Sequence, residues 1–159
     1  MNRFVFKLKS VLHHRQKKED LVKKELAEVK RLYVFEKERL TQLNVRLADS
    51  HKALREKQKS AIDATEISVH VKFIERLERQ IEVQLSRVAS LATEVRKVQE
   101  RLLEAAKDRK VLEKLEEKQL SEYKLEAERV EQGIIDEIAT VRHNRDDGNP
   151  LRRDHAEQS

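Results

Sequence analysis

The chain has 159 residues, enough for one domain, and 41% of them are Asp, Glu, Lys or Arg. An average soluble domain has about 25% charged residues. Two glycines, one proline and 4% aromatic residues argue against a sheet protein, which needs many turns, and against a compact enzyme, which needs a large apolar core. This composition favours long helices that carry a narrow apolar stripe.

Three further features restrict the class of protein. There is no cysteine, which excludes disulfide and thiolate chemistry. The longest apolar run has only four residues (32–35), so we expect no membrane-spanning segment and a cytoplasmic location. The positive charge is concentrated near the N-terminus, where residues 1–31 contain ten Lys or Arg and four Asp or Glu.

The first half of the chain follows a heptad pattern. With Val5 at position a and Leu8 at position d, the pattern continues without a slip over nine heptads to Ala64, a 3.5-residue repeat typical of a supercoiled helix. The a positions are Val5, Leu12, Glu19, Leu26, Tyr33, Leu40, Leu47, Leu54 and Ala61, and the d positions are Leu8, Arg15, Val22, Val29, Glu36, Leu43, Ser50, Lys57 and Ala64. The polar members of this set predict a seam that is stable only beside a partner.

A second heptad pattern begins at Ile74. Its a positions are Ile74, Ile81, Val88, Val95, Leu102 and Arg109, and its d positions are Leu77, Gln84, Leu91, Val98, Ala105 and Leu112. The apolar stripe then changes phase and continues through Leu120, Tyr123, Ala127, Val130, Ile134 and Val141. A phase change either unwinds the supercoil or turns the apolar face towards a new surface.

Because the two patterns do not share a register, we expect a turn at about 57–64. Asp63 followed by Glu66 resembles a capping box at the start of a helix. The predicted fold is all-α: a single long antiparallel two-helix coiled-coil hairpin over 1–144, with helix 1 at about 3–57 and helix 2 at about 64–143. A single uninterrupted helix with a stutter, or a straight parallel dimer, is the alternative.

Folded in this way, residue 5 would lie near residue 115, and helix 2 would overhang helix 1. Leu120, Tyr123, Val130 and Ile134 would then lack a partner within the chain, which implies a partner outside it. Residues 145–159, which contain Gly148 and Pro150, are predicted to form a disordered polar tail.

No motif for catalysis or for a cofactor is present, and a two-helix hairpin is too thin to form a dry catalytic pocket. We therefore expect a protein that is not an enzyme and has no cofactor, and we interpret the six histidines as surface residues. The basic N-terminus leading into heptads leaves a coiled-coil nucleic-acid-binding protein as an alternative. Two features argue against a nucleic-acid partner: the basic N-terminal segment carries an apolar stripe, and it has no pattern of residues that would read base edges.

Three stretches resemble one known family. The opening, residues 3–12 (RFVFKLKSVL) followed by His14 and Arg15, resembles the start of the flagellar export protein FliJ family. Residues 107–123 (KDRKVLEKLEEKQLSEY) and 126–139 (EAERVEQGIIDEIA) resemble its later signatures, in the same order and spacing. The tail after Asn144 and a turn without glycine depart from the family pattern.

This resemblance implies a component of the flagellar type III export apparatus. Family members form an antiparallel coiled coil similar to the stalk subunit of rotary ATP synthases. One end enters the hexameric export ATPase, the other faces the export gate in the membrane, and some members escort late substrate chaperones. The location implied is cytoplasmic, peripheral to the inner membrane at the flagellar base. The equivalent stalk of a virulence-type secretion system is the alternative within this class.

Two contact surfaces follow as expectations. The predicted ATPase-binding residues are Leu8, Leu12, Leu115, Leu120, Tyr123, Ala127, Val130 and Ile134. The predicted export-gate-binding residues are Leu43, Phe73 and Leu77.

Overall fold

The computed structural model describes residues 3–60 and 63–147, with side-chain exposure up to residue 144. Helix α1 spans Lys9–Gln58 and helix α2 spans Ala64–Asp147. The two helices pack against each other, they account for 94% of the described residues, and the described residues contain no strand. The predicted fold class, an all-α helical hairpin, is confirmed.

The hairpin divides into two compact units. The loop-side unit is His13–Arg109 and contains the connection between the helices. The terminal unit combines Met1–Leu12 with Lys110–Ser159.

Hydrogen bonds between the helices fix the antiparallel register of the loop-side unit. Arg101 donates to Glu25 at 2.7 Å, and Gln84 donates to the backbone carbonyl of Glu36 at 2.9 Å. Lys57 donates to Glu66 at 3.4 Å, close to the turn. Residue numbers on α2 therefore fall as those on α1 rise.

Both predicted heptad patterns lie on the buried faces of this unit. Every a and d position from Arg15 to Lys57 on α1, and from Ile74 to Arg109 on α2, is buried or half-buried. The best-packed part is a cluster of Val22, Leu26 and Val98, against which Val95 and Leu102 pack. Val98 is completely buried, so the 3.5-residue repeat describes the real interface of the two helices.

One polar layer interrupts this apolar seam at Glu19. Its carboxylate accepts hydrogen bonds from Lys23 Nζ at 2.9 Å and from Arg109 Nε on α2. Hydrogen bonds from Lys23 and then Arg109 lower the pKa of Glu19 below its ordinary value, against the opposing effect of burial. Arg109 occupies an a position of the second pattern, so a polar residue of one helix faces a polar residue of the other.

A second polar layer surrounds Glu36. Gln84 Nε2 donates to the carboxylate of Glu36 at 2.6 Å as well as to its backbone carbonyl. Arg87 forms an ion pair with the same carboxylate at 3.0 Å. Glu19 and Glu36 therefore need no outside partner, because α2 supplies matching polar groups at the same level of the hairpin.

The connection between the helices is closed by local hydrogen bonds. After Gln58, the backbone N–H groups of Lys59 and Ser60 bond back to the carbonyls of Glu56 and Lys57. Asp63 caps α2: its carbonyl accepts from Glu66 and its carboxylate accepts from the Thr65 N–H at 3.4 Å. The side chain of Glu66 accepts from Lys57 across the turn, so the predicted N-cap is confirmed while Glu66 has a different role from that of a capping box.

In the terminal unit, helix α1 begins at Lys9, later than the predicted start at residue 3. Phe4 is half-buried and Phe6 is buried, whereas Val5 between them is 73% exposed. Alternation with period two is the pattern of extended chain, and a helix would turn Phe4 and Phe6 to different faces. The placement of Val5 in the seam was therefore wrong.

At its other end, α2 continues to Asp147, beyond the predicted end at 143. The remainder of the predicted disordered tail, residues 148–159, lies outside the described residues.

Candidate functional site

The start of the chain packs against the C-terminal half of α2 within the terminal unit. The rings of Phe4 and Tyr123 lie 5.7 Å apart, centroid to centroid, in a tilted arrangement. Lys9 Nζ donates to Glu116 at 2.9 Å, and Phe6 and Leu12 are buried. Within this unit, the start of the chain therefore reaches Tyr123 on α2.

This register corrects two expectations about the overhang. Residue 5 was expected near residue 115, but the contacts of Phe4 and Lys9 place it closer to residue 121. Tyr123 was expected to lack a partner in the chain and instead packs on Phe4. The extended start of the chain reaches further along α2 than a helix would, because an extended residue spans about 3.3 Å against 1.5 Å in a helix.

Beyond Tyr123, α2 carries a stripe of exposed apolar side chains. We call this the terminal stripe: Val130, Ile134, Ile138 and Val141. Each of the four is between 44% and 54% exposed. At 100° per residue, they fall with Leu120, Tyr123 and Ala127 in an arc of roughly 80°. The terminal stripe, about 17 Å long, therefore continues a half-buried face of α2, and residues 120–141 together form one apolar face of roughly 32 Å.

The predicted ATPase-binding residues take three different positions in this unit. Leu12 is buried within the hairpin. Leu115, Leu120, Tyr123 and Ala127 are half-buried. Leu8, Val130 and Ile134 are exposed. The apolar face thus grades from buried to open, and Ile138 and Val141 are exposed members that the predicted set did not include.

The predicted gate-binding residues lie in the loop-side unit. Phe73 is 37% exposed and Leu43 is half-buried, whereas Leu77 is only 2% exposed. Phe73 borders a hollow of about 420 Å³ that is also lined by Ala53 and Val69. Phe73 and the hollow are thus accessible at the surface, whereas Leu77 is not.

A basic groove in the same unit was not anticipated from the sequence. It has a volume of about 600 Å³ and is lined by Arg39, Gln42, Leu43, Arg46, Arg76, Arg79, Gln80, Val83, Gln84 and Arg87. Five of these residues are arginines, and none is acidic. The arginines are far apart in sequence, so only the antiparallel register brings them together. Arg39 and Arg46 lie at g positions of the first pattern. Aligning the two heptad patterns antiparallel would therefore have predicted that they lie beside the arginines of α2.

No group of His, Cys, Asp and Glu within the described residues has the arrangement of a metal site. In the same part of the chain, neither helix has a stretch apolar enough to cross a membrane.

The comparison with protein families decides the relationship. The family model described as "Flagellar FliJ protein" matches residues 4–148. The chain belongs to the flagellar FliJ protein family. It is therefore a flagellar export-associated protein. No curated protein and no solved structure matches the chain significantly.

Proposed function

We propose that this FliJ-family chain is a non-enzymatic, central-stalk-like component of the flagellar type III export apparatus. Its terminal unit binds the hexameric export ATPase, and the Phe73 surface of its loop-side unit contacts the cytoplasmic domain of the membrane export gate. The protein works in the cytoplasm at the flagellar base, where it also escorts late substrate chaperones. Family membership and the terminal stripe support this function.

The terminal stripe is the observation that carries the proposal. The four exposed side chains continue a face of α2 on which Leu120, Tyr123 and Ala127 are half-buried. Fully burying a Val or Ile side chain stabilises a complex by about 1.5–3 kcal/mol. An aligned row of such side chains is what a helix presents when another protein completes its packing, as in helix-in-groove recognition.

The position of the stripe suits insertion into a ring. A lone helix with charged flanks is narrow, about 10–12 Å across with its side chains. The exposed charges beside the stripe include both signs, for example Glu137 and Arg142, which together with Ile134, Ile138 and Val141 line a shallow hollow. Such a surface offers apolar contacts along one face and charge pairing along its edges.

Replacing two stripe residues tests ATPase binding directly in the full-length chain. We expect Val130→Gln with Ile134→Gln to weaken binding to the hexameric ATPase by at least about tenfold, because two apolar contacts are lost. Glutamine is a good helix former, and both positions are exposed, so helicity should not change. Isothermal titration calorimetry and ATPase stimulation provide the measurements.

Leu125 and Ile135 supply the matched control. They lie on the same helix at 57% and 53% exposure but outside the arc of the stripe, with Leu125 on the opposite side of the helix and Ile135 about 60° beyond the edge of the arc. Leu125→Gln with Ile135→Gln should leave ATPase binding near the wild-type value. Equal loss in both double variants, or no loss in either, would contradict the assignment of the stripe.

The gate contact has a separate test. Phe73→Ala should weaken binding to the purified cytoplasmic domain of the gate while ATPase binding stays intact. Val71, 40% exposed and two residues away, gives the control variant Val71→Ala. If Phe73→Ala lowers the thermal stability of the hairpin instead of gate binding, Phe73 serves packing and the proposed gate contact fails.

A further inference from the structure

The basic groove of the loop-side unit collects unpaired positive charge. Arg39, Arg46, Arg76 and Arg79 line it, and within the described residues none of their guanidinium groups has a hydrogen bond or an ion pair. Other arginines of the hairpin are engaged: Arg15 with Asp108, and Arg101 with Glu25. A chain with 30 acidic residues thus leaves four arginines unpaired around one groove.

The floor of the groove is fixed by the second polar layer. Gln84 is buried and held by Glu36, and Arg87 at the rim is already paired with the same carboxylate. The negative charge of Glu36 is therefore compensated from within the hairpin. The other four guanidinium groups remain available above a floor that does not need to rearrange.

The chemistry of the lining favours a carboxylate-bearing ligand with apolar side chains. Guanidinium groups form bidentate, charge-assisted hydrogen bonds with carboxylates and phosphates. Leu43 and Val83 add apolar surface, and the exposed amides of Gln42 and Gln80 can bond a peptide backbone. Arg39 and Arg46 are one heptad apart, roughly 10.5 Å along the helix, a distance that about three residues of extended peptide span.

The surroundings argue against a long polyanion. Exposed acidic residues alternate with the arginines in the same turns, namely Glu38 on α1 and Glu75, Glu78 and Glu82 on α2. A nucleic-acid backbone running past the groove would meet these charges, whereas a short segment would not. The positive surface is thus bounded, unlike the continuous basic stripe of a nucleic-acid-binding protein.

We propose that this groove binds a short acidic peptide segment of a partner protein, with its carboxylates on Arg39, Arg46, Arg76 and Arg79 and its apolar side chains on Leu43 and Val83. This inference goes beyond the stalk function proposed above. It does not depend on the terminal stripe or on Phe73, so it stands or fails separately from them.

The probe is a fluorescently labelled eight-residue peptide with Glu at every third position and Leu at several of the others. Its binding to the full-length protein is measured by fluorescence anisotropy. We expect saturable binding that weakens as salt is raised from 50 to 200 mM, since the contacts are charged. A peptide with Gln in place of every Glu should not bind. Absence of binding by the acidic peptide would overturn the proposal.

Charge-matched variants locate the site. Arg46→Gln with Arg76→Gln removes one guanidinium from each helix inside the groove and should weaken peptide binding by at least about tenfold. Arg31→Gln with Arg96→Gln removes the same charge from exposed arginines outside it and should change the affinity less than about threefold. Equal weakening by both pairs would mean non-specific attraction and would overturn the site.

A third arm separates peptide from nucleic acid. Single-stranded and duplex DNA of 15 nucleotides are titrated in the same buffer. We expect DNA to bind more weakly than the acidic peptide. We also expect the two double variants to have the same affinity for DNA. Tighter DNA binding that is lost only in Arg46→Gln with Arg76→Gln would overturn the peptide assignment in favour of nucleic acid.

Discussion

The polar layer at Glu36 makes a quantitative prediction about what holds the helices in register. Glu36 and Gln84 are almost fully buried, and Gln84 donates two hydrogen bonds to Glu36, at 2.9 and 2.6 Å. Replacing Gln84 by Leu keeps a side chain of similar size but removes both donors. The carboxylate then keeps Arg87, 3.0 Å away, as its charged partner on α2.

We expect Gln84→Leu to lower the free energy of unfolding by about 2–3 kcal/mol. A hydrogen bond to a charged group contributes about 1.5–3 kcal/mol, and a buried acceptor left unsatisfied adds its desolvation cost. Urea denaturation followed by circular dichroism measures this, at a protein concentration where the chain is monomeric. Val83→Leu, an adjacent and exposed position, should change stability by less than about 0.5 kcal/mol.

The double variant sharpens the test. With Glu36→Leu and Gln84→Leu together, the buried charge and its need for donors both disappear, so stability should return to within about 1 kcal/mol of the wild type or exceed it. The coupling energy between the two positions should then be clearly non-zero. If Gln84→Leu alone raises stability, the carboxylate does not depend on Gln84 and this explanation of the layer is wrong.

Three further variants test other parts of the structure. Val98→Ala, at the completely buried centre of the Val22 cluster, should cost about 1.5–3 kcal/mol in urea denaturation; a cost below about 0.5 kcal/mol would mean that the seam is loosely packed. Because the pKa of Glu19 is lowered in the folded state, its stabilisation is present above the unfolded pKa and is lost as pH falls through the folded pKa. Glu19→Gln should therefore be less stable than the wild type at pH 7 and show a shallower loss of stability on acidification, and parallel pH curves would refute this. A Cβ added at Gly133 meets no atom within 4 Å, so Gly133→Ala should stabilise this part of α2 by about 0.5–1 kcal/mol and raise its helicity; a fall in helicity by circular dichroism would contradict this.

Much of the fold could be predicted because the heptads are long and unbroken. The residues from Leu12 to Lys57 and from Ile74 to Leu112 repeat with one period, and their burial follows that period. The polar members of the pattern were harder to interpret. From one helix alone Glu19 and Glu36 look like defects, and only the register shows that Arg109 and Gln84 face them.

The start of the chain shows a second limit of sequence reasoning. Phe4, Val5 and Phe6 fit a helical stripe and an extended strand equally well over so few residues, and short apolar runs are ambiguous in this way. The packing of Phe4 on Tyr123 depends on a residue far along the chain. The basic groove was missed for the same reason, since its arginines come from both helices.

Site-specific cross-linking tests most directly the central claim, that the terminal stripe enters the export ATPase. A photoreactive phenylalanine analogue is placed at Ile134 in one full-length protein and at Leu125 in another, and each is irradiated with the assembled ATPase hexamer. Both positions are exposed to a similar degree but lie on different sides of α2. The proposed function predicts an ATPase adduct from position 134 and little or none from position 125. Adducts from position 125 alone, or from neither position, would contradict it.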